Sequence, residues 1–492
     1  MRISTTPRPL SGAIVIFVFL QVLGSSATIY QVDSDIQAAI DAADPGDTLR
    51  VAPGNYEKIV IDKGLTLVGD GSVISASERK ACIDVYADEV NISGFTVRDG
   101  LYGIKLNYAQ GCTISNNTVI HCVQPGITLL FSDDNVIKDN VANFNGLGAE
   151  GWYGIYLSNS NDNLIEGNIA SDNGEYGLCM FPSCCRNVIQ NNVMERNDYG
   201  VYIFTDCSDN VIQSNQLVQN RNSGLKMIHD CTNNQVLNNT ISDNDVVGIF
   251  LQAGSGRNLV QGNEISNNEI FGVQIQEGAG GNTVVENNVS GSKKGFFISN
   301  DGNLIYNNRI FDNVIPADDL GANQWHSAYP QGGNFWGDYQ GQDLMNGTGQ
   351  NVSGSDGFGD LPYRIGYNIW DRYPIMGTSI MPLKLTEGRI LPLRAQVGGQ
   401  VKVQATFDSK YGVTQVCARA HSILNLAERP KYIPMDKVED NIYEGVLRTA
   451  ILDPGRYDIV LTAKDVKGNE IEESIGELDL LVRSGRNINS IL

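Results

Sequence analysis

A glycine recurs along this chain every 23 or 24 residues, and that period limits the possible folds more than any other feature. The spacings between successive copies are 23, 28, 23, 23, 24, 24, 24 and 23 residues. The glycines are Gly103, Gly126, Gly154, Gly177, Gly200, Gly224, Gly248, Gly272 and Gly295. The first and third residues after each are apolar, as in Gly200-Val201-Tyr202-Ile203, which is the period-two pattern of a strand with one buried face.

Asparagine marks two further positions in the repeat. One precedes a second apolar run, as at Asn163 and Asn210, and another follows five residues later, at Asn168 and Asn215. Asparagine suits sharp bends because it tolerates a left-handed backbone, and its amide can hydrogen-bond to the same residue one coil above. Leucine-rich repeats share this period but need a Leu-x-x-Leu-x-Leu frame, which is absent. The sequence therefore predicts an all-β fold: a right-handed parallel β-helix, or solenoid, with three short strands per coil.

The rest of the chain divides into a long repeat region and a shorter C-terminal region. Residues 28–377 are predicted to form the β-helix, with a cap helix at 35–43 and a C-terminal cap rich in Gly, Asp and Trp. Beyond Leu383 the Asn repeats stop and alternating apolar runs appear. Residues 383–484 are therefore predicted to form a small immunoglobulin-like β-sandwich, and residues 485–492 a tail.

Residues 1–27 have the features of a secretory signal peptide. Two arginines come first, an eleven-residue apolar run from Ala13 to Leu23 follows, and small residues precede Thr28. This order is typical of cleavage before Thr28. Eleven residues are too few for the roughly 20 that a membrane-spanning helix needs. We therefore expect an exported protein, secreted or at the cell surface, with no membrane span after signal cleavage.

The net charge of the chain restricts the classes of partner that it is expected to bind. There are 35 Lys plus Arg against 56 Asp plus Glu, a net charge of −21. Nucleic acid and anionic membrane surfaces would be repelled, so neither is an expected partner. A uronate polymer would need a cation bridge on the same grounds.

Several segments resemble a known group of β-helix proteins. They are Ile36-Gln37-Ala38-Ala39-Ile40, Pro45-Gly46-Asp47-Thr48, Val51-Ala52-Pro53-Gly54-Asn55-Tyr56, Gly332-Gly333-Asn334-Phe335-Trp336-Gly337-Asp338-Tyr339 and Asp356-Gly357-Phe358-Gly359-Asp360. With the Asn-rich coils, they resemble the NosD-like group, which falls within the carbohydrate-binding and sugar-hydrolase β-helices. The tail resembles a pattern frequent in archaeal secreted members. The resemblance covers residues 30–377 and implies the fold, but the group's chemistry is diverse and implies no single activity.

An aromatic stripe is the main candidate for a ligand-binding surface. Four tyrosines immediately precede the repeat glycine and two more occupy the outward second position of the strand, with a tryptophan beside them. The candidate ligand-binding residues are Tyr102, Trp152, Tyr153, Tyr156, Tyr176, Tyr199 and Tyr202. Aromatic rings on a rigid sheet suit stacking against sugar rings. A ladder that stabilises the solenoid by self-stacking would use the same positions.

Cysteines and an Asp-rich tail suggest metal sites. Cys184, Cys207 and Cys231 should stack on consecutive coils, either as buried thiols or with a disulfide, which sequence alone leaves open. Met227, His229 and Cys231 alternate and would suit copper, but Met227 stands at a core position, so copper is disfavoured. Calcium is the one cofactor that the pattern suggests. Its candidate ligands are Asp338, Asp343, Asp356 and Asp360, although a loop cap would explain the same residues.

No catalytic residue can be assigned from the sequence. The chain lacks the Asn-Thr-Asp and Gly-His-Gly signatures of polygalacturonase-like enzymes, and Asp133-Asp134 is the one Asp pair between the first and last repeat glycines. Lys105 and Lys226 occupy outward positions, but no acidic cluster accompanies either.

The sequence thus favours an exported, non-catalytic cell-surface protein that binds a polysaccharide or cell-envelope glycan or takes part in envelope assembly. One alternative is a polysaccharide lyase or glycoside hydrolase acting on a uronate-type polymer. Another is a structural surface protein without a ligand. The oligomeric state is not predicted.

Overall fold

The structure is a computed structural model. It describes residues 27–77, 79–146, 153–376, 383–409, 413–423, 431–439, 441–449, 452–465 and 470–481. Three predicted features lie outside the described residues: the signal peptide except Ala27, the tail at 485–492, and Trp152.

Each coil of the solenoid contributes short strands to parallel sheets. A representative coil runs through Tyr199–Phe204, Val211–Gln213 and Gln216–Val218. Each of these strands pairs in parallel with the equivalent strand of the next coil. The sequence prediction of a parallel β-helix with three short strands per coil is therefore confirmed.

Three long sheets run along the solenoid. The main path of sheet 1 contains Ile29–Val32, Thr48–Val51, Thr66–Ser75, Asn91–Arg98, Thr113–Ser115, Val136–Lys138, Leu164–Glu166, Val188–Gln190, Val211–Gln213, Gln235–Leu237, Leu259–Gln261, Thr283–Val285 and Leu304–Tyr306. Beside this path, Gly54–Glu57 pairs with Thr66–Ser75, and Thr118–Ile120 pairs with Asn91–Arg98 and with Val141–Asn143. Sheet 2 contains Ile59–Ile61, Ile83–Val85, Ile104–Asn107, Ile127–Leu130, Tyr153–Ser158, Tyr176–Met180, Tyr199–Phe204, Ser223–Ile228, Val247–Gln252, Phe271–Ile275, Lys294–Ile298 and Ile315–Asp319. Sheet 3 contains Val193–Glu195, Gln216–Val218, Thr240–Ser242, Glu264–Ser266, Asn288–Ser290, Arg309–Phe311 and Phe335–Trp336.

Asparagine ladders line the bends between these strands. The Asn210 amide donates to Asn234 Oδ1 at 2.9 Å and to the carbonyl of Cys184 at 2.9 Å, and the Asn210 backbone N–H donates to the same Oδ1 at 3.0 Å. The buried amides therefore satisfy one another along the stack, as the sequence predicts. Three ladders run through the described coils, and the sequence pattern did not predict the third, which consists of Asn145, Asn173, Asn197, Asn220, Asn244 and Asn268.

The repeat glycine is required by a close approach between coils. A Cβ on Gly200 would lie 2.6 Å from the carbonyl oxygen of Gly224 and 3.1 Å from Asn220 Nδ2. Real Cβ atoms do not approach a backbone oxygen this closely. Glycine therefore recurs once per coil because the third asparagine ladder and the next coil leave no room for a side chain.

The two ends of the solenoid are covered. The helix Ile36–Ala42 begins after Asp35, whose carboxylate accepts a hydrogen bond from Ala38 N at 3.0 Å, and its Ile36 and Ile40 belong to the core of the coils. At the other end Trp325 and Trp336 are buried in the same core. Two small hairpins follow, Met345–Asn346 with Val352–Ser353 and Tyr363–Gly366 with Ile369–Asp371.

A separate β region lies near the C-terminus. One sheet contains Lys384–Leu391, Gln400–Asp408, Ile442–Arg448 and Asp436–Glu439, and the other contains Arg394–Gln396, Glu470–Leu481, Gly455–Asp465, Val413–Ser422 and Lys431–Pro434. Val403 of the first sheet and Leu461 of the second belong to one hydrophobic core. The predicted small β-sandwich is thereby confirmed, whereas its immunoglobulin-like character and its limits at 383 and 484 stay predictions. No helix among the described residues is long and apolar enough to cross a membrane.

Candidate functional site

Five of the predicted tyrosines meet on the outer side of sheet 2, and we call them the tyrosine face. They are Tyr153, Tyr156, Tyr176, Tyr199 and Tyr202. Parallel pairing places Tyr153 opposite Tyr176 and Tyr176 opposite Tyr199. Because each position repeats one coil further along, these three rings form a column whose backbone is fixed by the sheet.

The rings of the column stack on one another. The centroids of Tyr153 and Tyr176 are 5.0 Å apart with an interplanar angle of 13°, and those of Tyr176 and Tyr199 are 5.4 Å apart at 20°. Tyr156 stacks on Tyr153 at 4.8 Å, and Tyr202 is tilted against Tyr176 at 4.8 Å. Both faces of Tyr176 are therefore occupied by neighbouring rings. The interior of the column therefore acts as a stabilising ladder.

Burial raises the pKa of these phenols above the ordinary value of about 10, at which they are already neutral at pH 7. Desolvation raises the pKa of Tyr156 and of Tyr202 to about 12 and raises the pKa of Tyr153 and of Tyr176 further. The Tyr156 hydroxyl donates to the carbonyl of Phe181 at 2.9 Å. At neutral pH the tyrosine face therefore presents apolar rings that carry protonated hydroxyl groups. Such a surface suits ring-shaped ligands that have polar edges.

A lysine closes one end of the tyrosine face. Lys226 Nζ lies 5.5 Å from the ring centroid of Tyr199, 5.7 Å from that of Tyr202 and 5.1 Å from that of Phe250. Desolvation lowers the pKa of Lys226. Such cation–π contacts cover the outer ring faces at this end.

The other predicted tyrosine stands apart at the opposite end. Tyr102 and Tyr153 are separated by one coil, in which Pro125 occupies the equivalent position before the glycine. The structure therefore does not bring Tyr102 into contact with the tyrosine face. The sequence itself carries this interruption, as Pro125 before Gly126.

A carboxyl group lies beside the column, and the sequence pattern did not single it out. Desolvation raises the pKa of Glu175, and its hydrogen bond with Tyr176 opposes that rise. The next carboxylate, Asp198, is paired with Arg221, whose Nε lies 2.5 Å from Asp198 Oδ1. Glu175, whose pKa is raised, therefore lies near Asp198, whose charge is balanced by the guanidinium of Arg221.

The Asp pair of the coils has a structural role. Asp133 Oδ1 accepts hydrogen bonds from the backbone N–H of Asn161 at 2.7 Å and from its amide at 3.2 Å. Asp134 has a φ of 57° in the bend. Asp133 thus serves to tie two coils together.

The predicted cysteine ladder is present as buried thiols. Cys184, Cys207 and Cys231 are each 0% exposed, and all three are free thiols. Cys207 Sγ accepts a hydrogen bond from Cys184 N at 3.3 Å, and Ser255 Oγ accepts one from Cys231 N at 3.3 Å. Serine and cysteine take the same place in successive coils because that place holds one small side chain.

Copper ligands do not converge in the described residues. Met227 and Cys231 point into the core at 0% exposure, whereas His229 is exposed and its ring lies 4.9 Å from that of Phe204. A soft metal also needs a deprotonated thiol, whereas a hydrogen bond with Cys207 and burial both raise the pKa of the Cys231 thiol. The residues present do not fit a copper site.

The four tail aspartates do not form a metal cluster either. Asp343 accepts hydrogen bonds from Asp356 N at 2.9 Å and Gly357 N at 2.8 Å, and Asp360 accepts one from Met345 N at 2.9 Å. Asp338 accepts hydrogen bonds from the Tyr363 hydroxyl at 3.0 Å, and Asp356 accepts one from the Gln350 amide at 2.7 Å. Within the described ranges no group of three or more His, Cys, Asp or Glu is placed to hold a metal ion. These carboxylates anchor loops, and calcium binding stays a prediction that the geometry does not support.

The chain matches a known protein family. The family model described as periplasmic copper-binding protein NosD matches residues 45–226 and 204–341, more than half of the chain. Among curated proteins, a cell surface glycoprotein of Methanothermus fervidus is 43% identical over 89 residues, which are 17% of this chain and 15% of that protein. The chain therefore matches about a seventh of that relative's length.

Solved structures give more distant likenesses. The A-module of the mannuronan C-5 epimerase AlgE6 of Azotobacter vinelandii is 19% identical with a TM-score of 0.44, covering 60% of this chain and 93% of that one. The Dettilon tailspike protein is 14% identical with a TM-score of 0.42, covering 82% of this chain and 88% of that one. No activity of this chain follows from these likenesses.

Proposed function

The chain belongs to the NosD family of β-helix proteins, and from that premise we propose that it is an exported, non-catalytic surface protein that binds carbohydrate at its tyrosine face. The observation that carries the proposal is the fixed cluster of five tyrosines on the outer side of sheet 2. Tyrosine offers both an apolar ring for the C–H face of a sugar and a hydroxyl for its polar edge.

Rigidity favours binding at this surface. Rings held by stacking and by a parallel sheet lose little freedom when a ligand arrives, so little ordering entropy opposes association. The hydroxyl of Tyr199 accepts a hydrogen bond from the Asn222 amide at 3.1 Å, which also fixes its position. A preorganised row of rings and hydroxyls suits a repeating polymer better than a small, single ligand.

The proposed location rests on two observations. Residues 1–27 read as a signal peptide. The relative from Methanothermus fervidus is named a cell surface glycoprotein. We infer that this chain also acts outside the cell, at the surface.

A glycan array followed by titration calorimetry tests the proposal. We expect the protein to bind at least one polysaccharide class, and Tyr202→Ala to weaken that binding about tenfold, or about 1.4 kcal/mol. Phe271→Ala is the matched control, because Phe271 takes the same column position at a distant coil and stacks on Phe297. Absence of binding to every glycan, with the fold intact, would reject the proposal.

Polymer cleavage on the same face is a second candidate, and Glu175 is the observation that favours it. A carboxyl group whose pKa is raised by burial can act as a general acid. Glycosidases use two carboxyl groups, however, and Asp198 is engaged by Arg221. Assays for new reducing ends and for unsaturated products on uronate polymers decide between the candidates. Turnover that disappears in Glu175→Gln would establish the enzyme.

A further inference from the structure

The tyrosine column has one missing ring. Ile104, Ile127 and Ile155 pair in register, so the residues before the three adjacent glycines occupy equivalent places on successive coils. Two of these residues are Tyr102 and Tyr153, and the one between them is a proline. With coils about 4.8 Å apart, the two tyrosines stand about 10 Å apart, which leaves space for one ring between them.

The missing ring leaves a cavity that we call the slot. It has a volume of about 220 Å³ and is lined by Tyr102, Pro125, Thr128, Tyr153 and Tyr156, among others. Tyr153, whose ring stacks on those of Tyr176 and Tyr156, is the member of the column nearest to Tyr102 and lines the slot. A flat ring placed in the slot would lie between the Tyr102 and Tyr153 positions of the column.

A buried hydroxyl at the slot has no partner. Thr128 is 1% exposed, and its Oγ1 makes no hydrogen bond among the described residues. It stands in the outward position of its strand, between Lys105 and Tyr156 on the adjacent coils. Buried hydroxyls are almost always paired, so an unpaired one at a cavity indicates a polar group that arrives with a ligand.

A basic pocket shares Tyr102 with the slot as a lining residue. Its volume is about 200 Å³, and its lining includes Lys58, Arg79, Lys80 and Lys105, with Asp84 as the one acidic member. Tyr102 lines both cavities, and Lys105 Nζ lies 5.0 Å from its ring centroid. Four cationic side chains at one place are notable in a chain of net charge −21. At this place the four side chains can attract an anion, although the net charge of the whole chain would repel one.

We propose that the slot holds one sugar ring of an acidic glycan, and that the basic pocket holds an anionic group of the neighbouring sugar unit. The inference rests on the proposed carbohydrate binding and names its ligand class. The C–H faces of the ring pack between Tyr102 and Tyr153, and a ring hydroxyl pairs with Thr128. The chain then passes over Tyr102, where a carboxylate or sulfate meets the lysines and arginine. No bridging cation is required, which differs from the expectation based on net charge.

Filling the slot is the sharpest test of its role. Pro125→Tyr restores the aromatic residue that the neighbouring coils carry, so the column becomes continuous and the fold should be retained or stabilised. We expect this variant to lose binding at least tenfold. Thr128→Val removes only the unpaired hydroxyl at nearly constant shape and should weaken binding about fivefold without lowering the melting temperature. Phe271→Ala remains the control.

The anionic requirement is tested with matched ligands. Calorimetry compares oligomers of galacturonate, of sulfated galactose and of unsubstituted galactose on the full chain. We expect at least one of the charged oligomers to bind tenfold more tightly than the neutral one, and Lys105→Gln with Lys80→Gln to remove that preference. Equal affinity for neutral and charged oligomers would overturn the acidic class.

The outcomes separate this inference from the proposed function. If a glycan binds, and Tyr202→Ala weakens it while Pro125→Tyr and Thr128→Val do not, the slot is rejected and the tyrosine face stands. If no glycan of any kind binds, both fail together. If binding is lost in Pro125→Tyr but kept in Tyr202→Ala, the slot stands and the tyrosine face is only its support.

Discussion

The carboxylate of Asp371 accepts a hydrogen bond from Trp336 Nε1 at 2.9 Å where the last coil of the solenoid is closed. The same oxygen accepts one from Asn334 N at 2.6 Å, and the other oxygen accepts one from Tyr373 N at 3.0 Å. Burial nevertheless raises the pKa of Asp371 to about 7, because desolvation outweighs the lowering effect of these donors. Asp371 thereby links the end of an asparagine ladder to the tail.

The pKa of Asp371 predicts a loss of stability as pH rises. An unfolded aspartate loses its proton near pH 3.9, whereas this one keeps it in the folded state until about pH 7. Between those values the folded state binds more protons than the unfolded state, so the free energy of unfolding falls as pH rises. The stabilising contribution of Asp371 is fully present below about pH 4 and is lost above about pH 7. Asp371→Asn cannot ionise and should flatten this slope in urea melts between pH 4.5 and 8. An unaltered slope in Asp371→Asn would contradict the assignment.

Removing one rung of an asparagine ladder should destabilise the solenoid strongly. The Asn215 amide donates to the carbonyl of Ile189 at 2.8 Å and to Asn239 Oδ1 at 3.0 Å, and its oxygen accepts from the Asn192 backbone at 2.9 Å. Asn215→Ala leaves several buried groups unpaired, at about 1–3 kcal/mol each, so we expect a loss of about 3 kcal/mol. Asn288→Ala is the matched control. Its amide lies outside the ladder against Glu264, and about 0.5 kcal/mol or less is expected. Equal losses in the two variants would contradict the ladder's role.

The repeat was sufficient to predict the fold but not every position in it. The five-residue spacing from Asn282 selects Asn287, and its amide donates to Asn308 Oδ1 at 2.9 Å. The adjacent Asn288 lies outside the ladder, since a one-residue shift exchanges the inner and outer sides of a strand. The spacing therefore predicted two of the ladders, whereas the third, from Asn145 to Asn268, was found only in the structure.

The candidate site was predicted less completely than the fold. The tyrosines that precede Gly154, Gly177 and Gly200 were visible as a column because they repeat with the coils. The slot was not, because it is created by a residue that breaks the repeat, Pro125, and by the burial of Thr128. The hydrogen bonds that Asp343 and Asp360 accept from backbone amides were also not predicted, because backbone amides leave no trace in a sequence pattern.

Adding one methyl group to a repeat glycine should be costly. The Cβ of Gly200→Ala would lie 2.6 Å from the Gly224 carbonyl oxygen, a backbone atom that cannot rotate away. We expect the coil to shift and the solenoid to lose roughly 1–3 kcal/mol of stability, measured by thermal melting. Gly455→Ala is the control, because the nearest atom to its Cβ would be 4.0 Å away in Tyr457. A melting temperature that is unchanged in Gly200→Ala would contradict the close approach between coils.

The thiols of the core should be inert until the protein unfolds. Cys184, Cys207 and Cys231 are fully buried. A hydrogen bond with Cys184 raises the pKa of Cys207, a hydrogen bond with Cys207 raises that of Cys231, and burial raises both, so little thiolate forms. Of the nine free cysteines, Cys185 and Cys417 alone are partly exposed. Titration with a thiol reagent should therefore label these two in the native protein and all nine in denaturant. The variant Cys185→Ser should remove one native equivalent and leave the melting temperature unchanged. Fewer than nine equivalents in denaturant would instead mean that stacked coils are joined by a disulfide, since a bonded pair stays unreactive after unfolding.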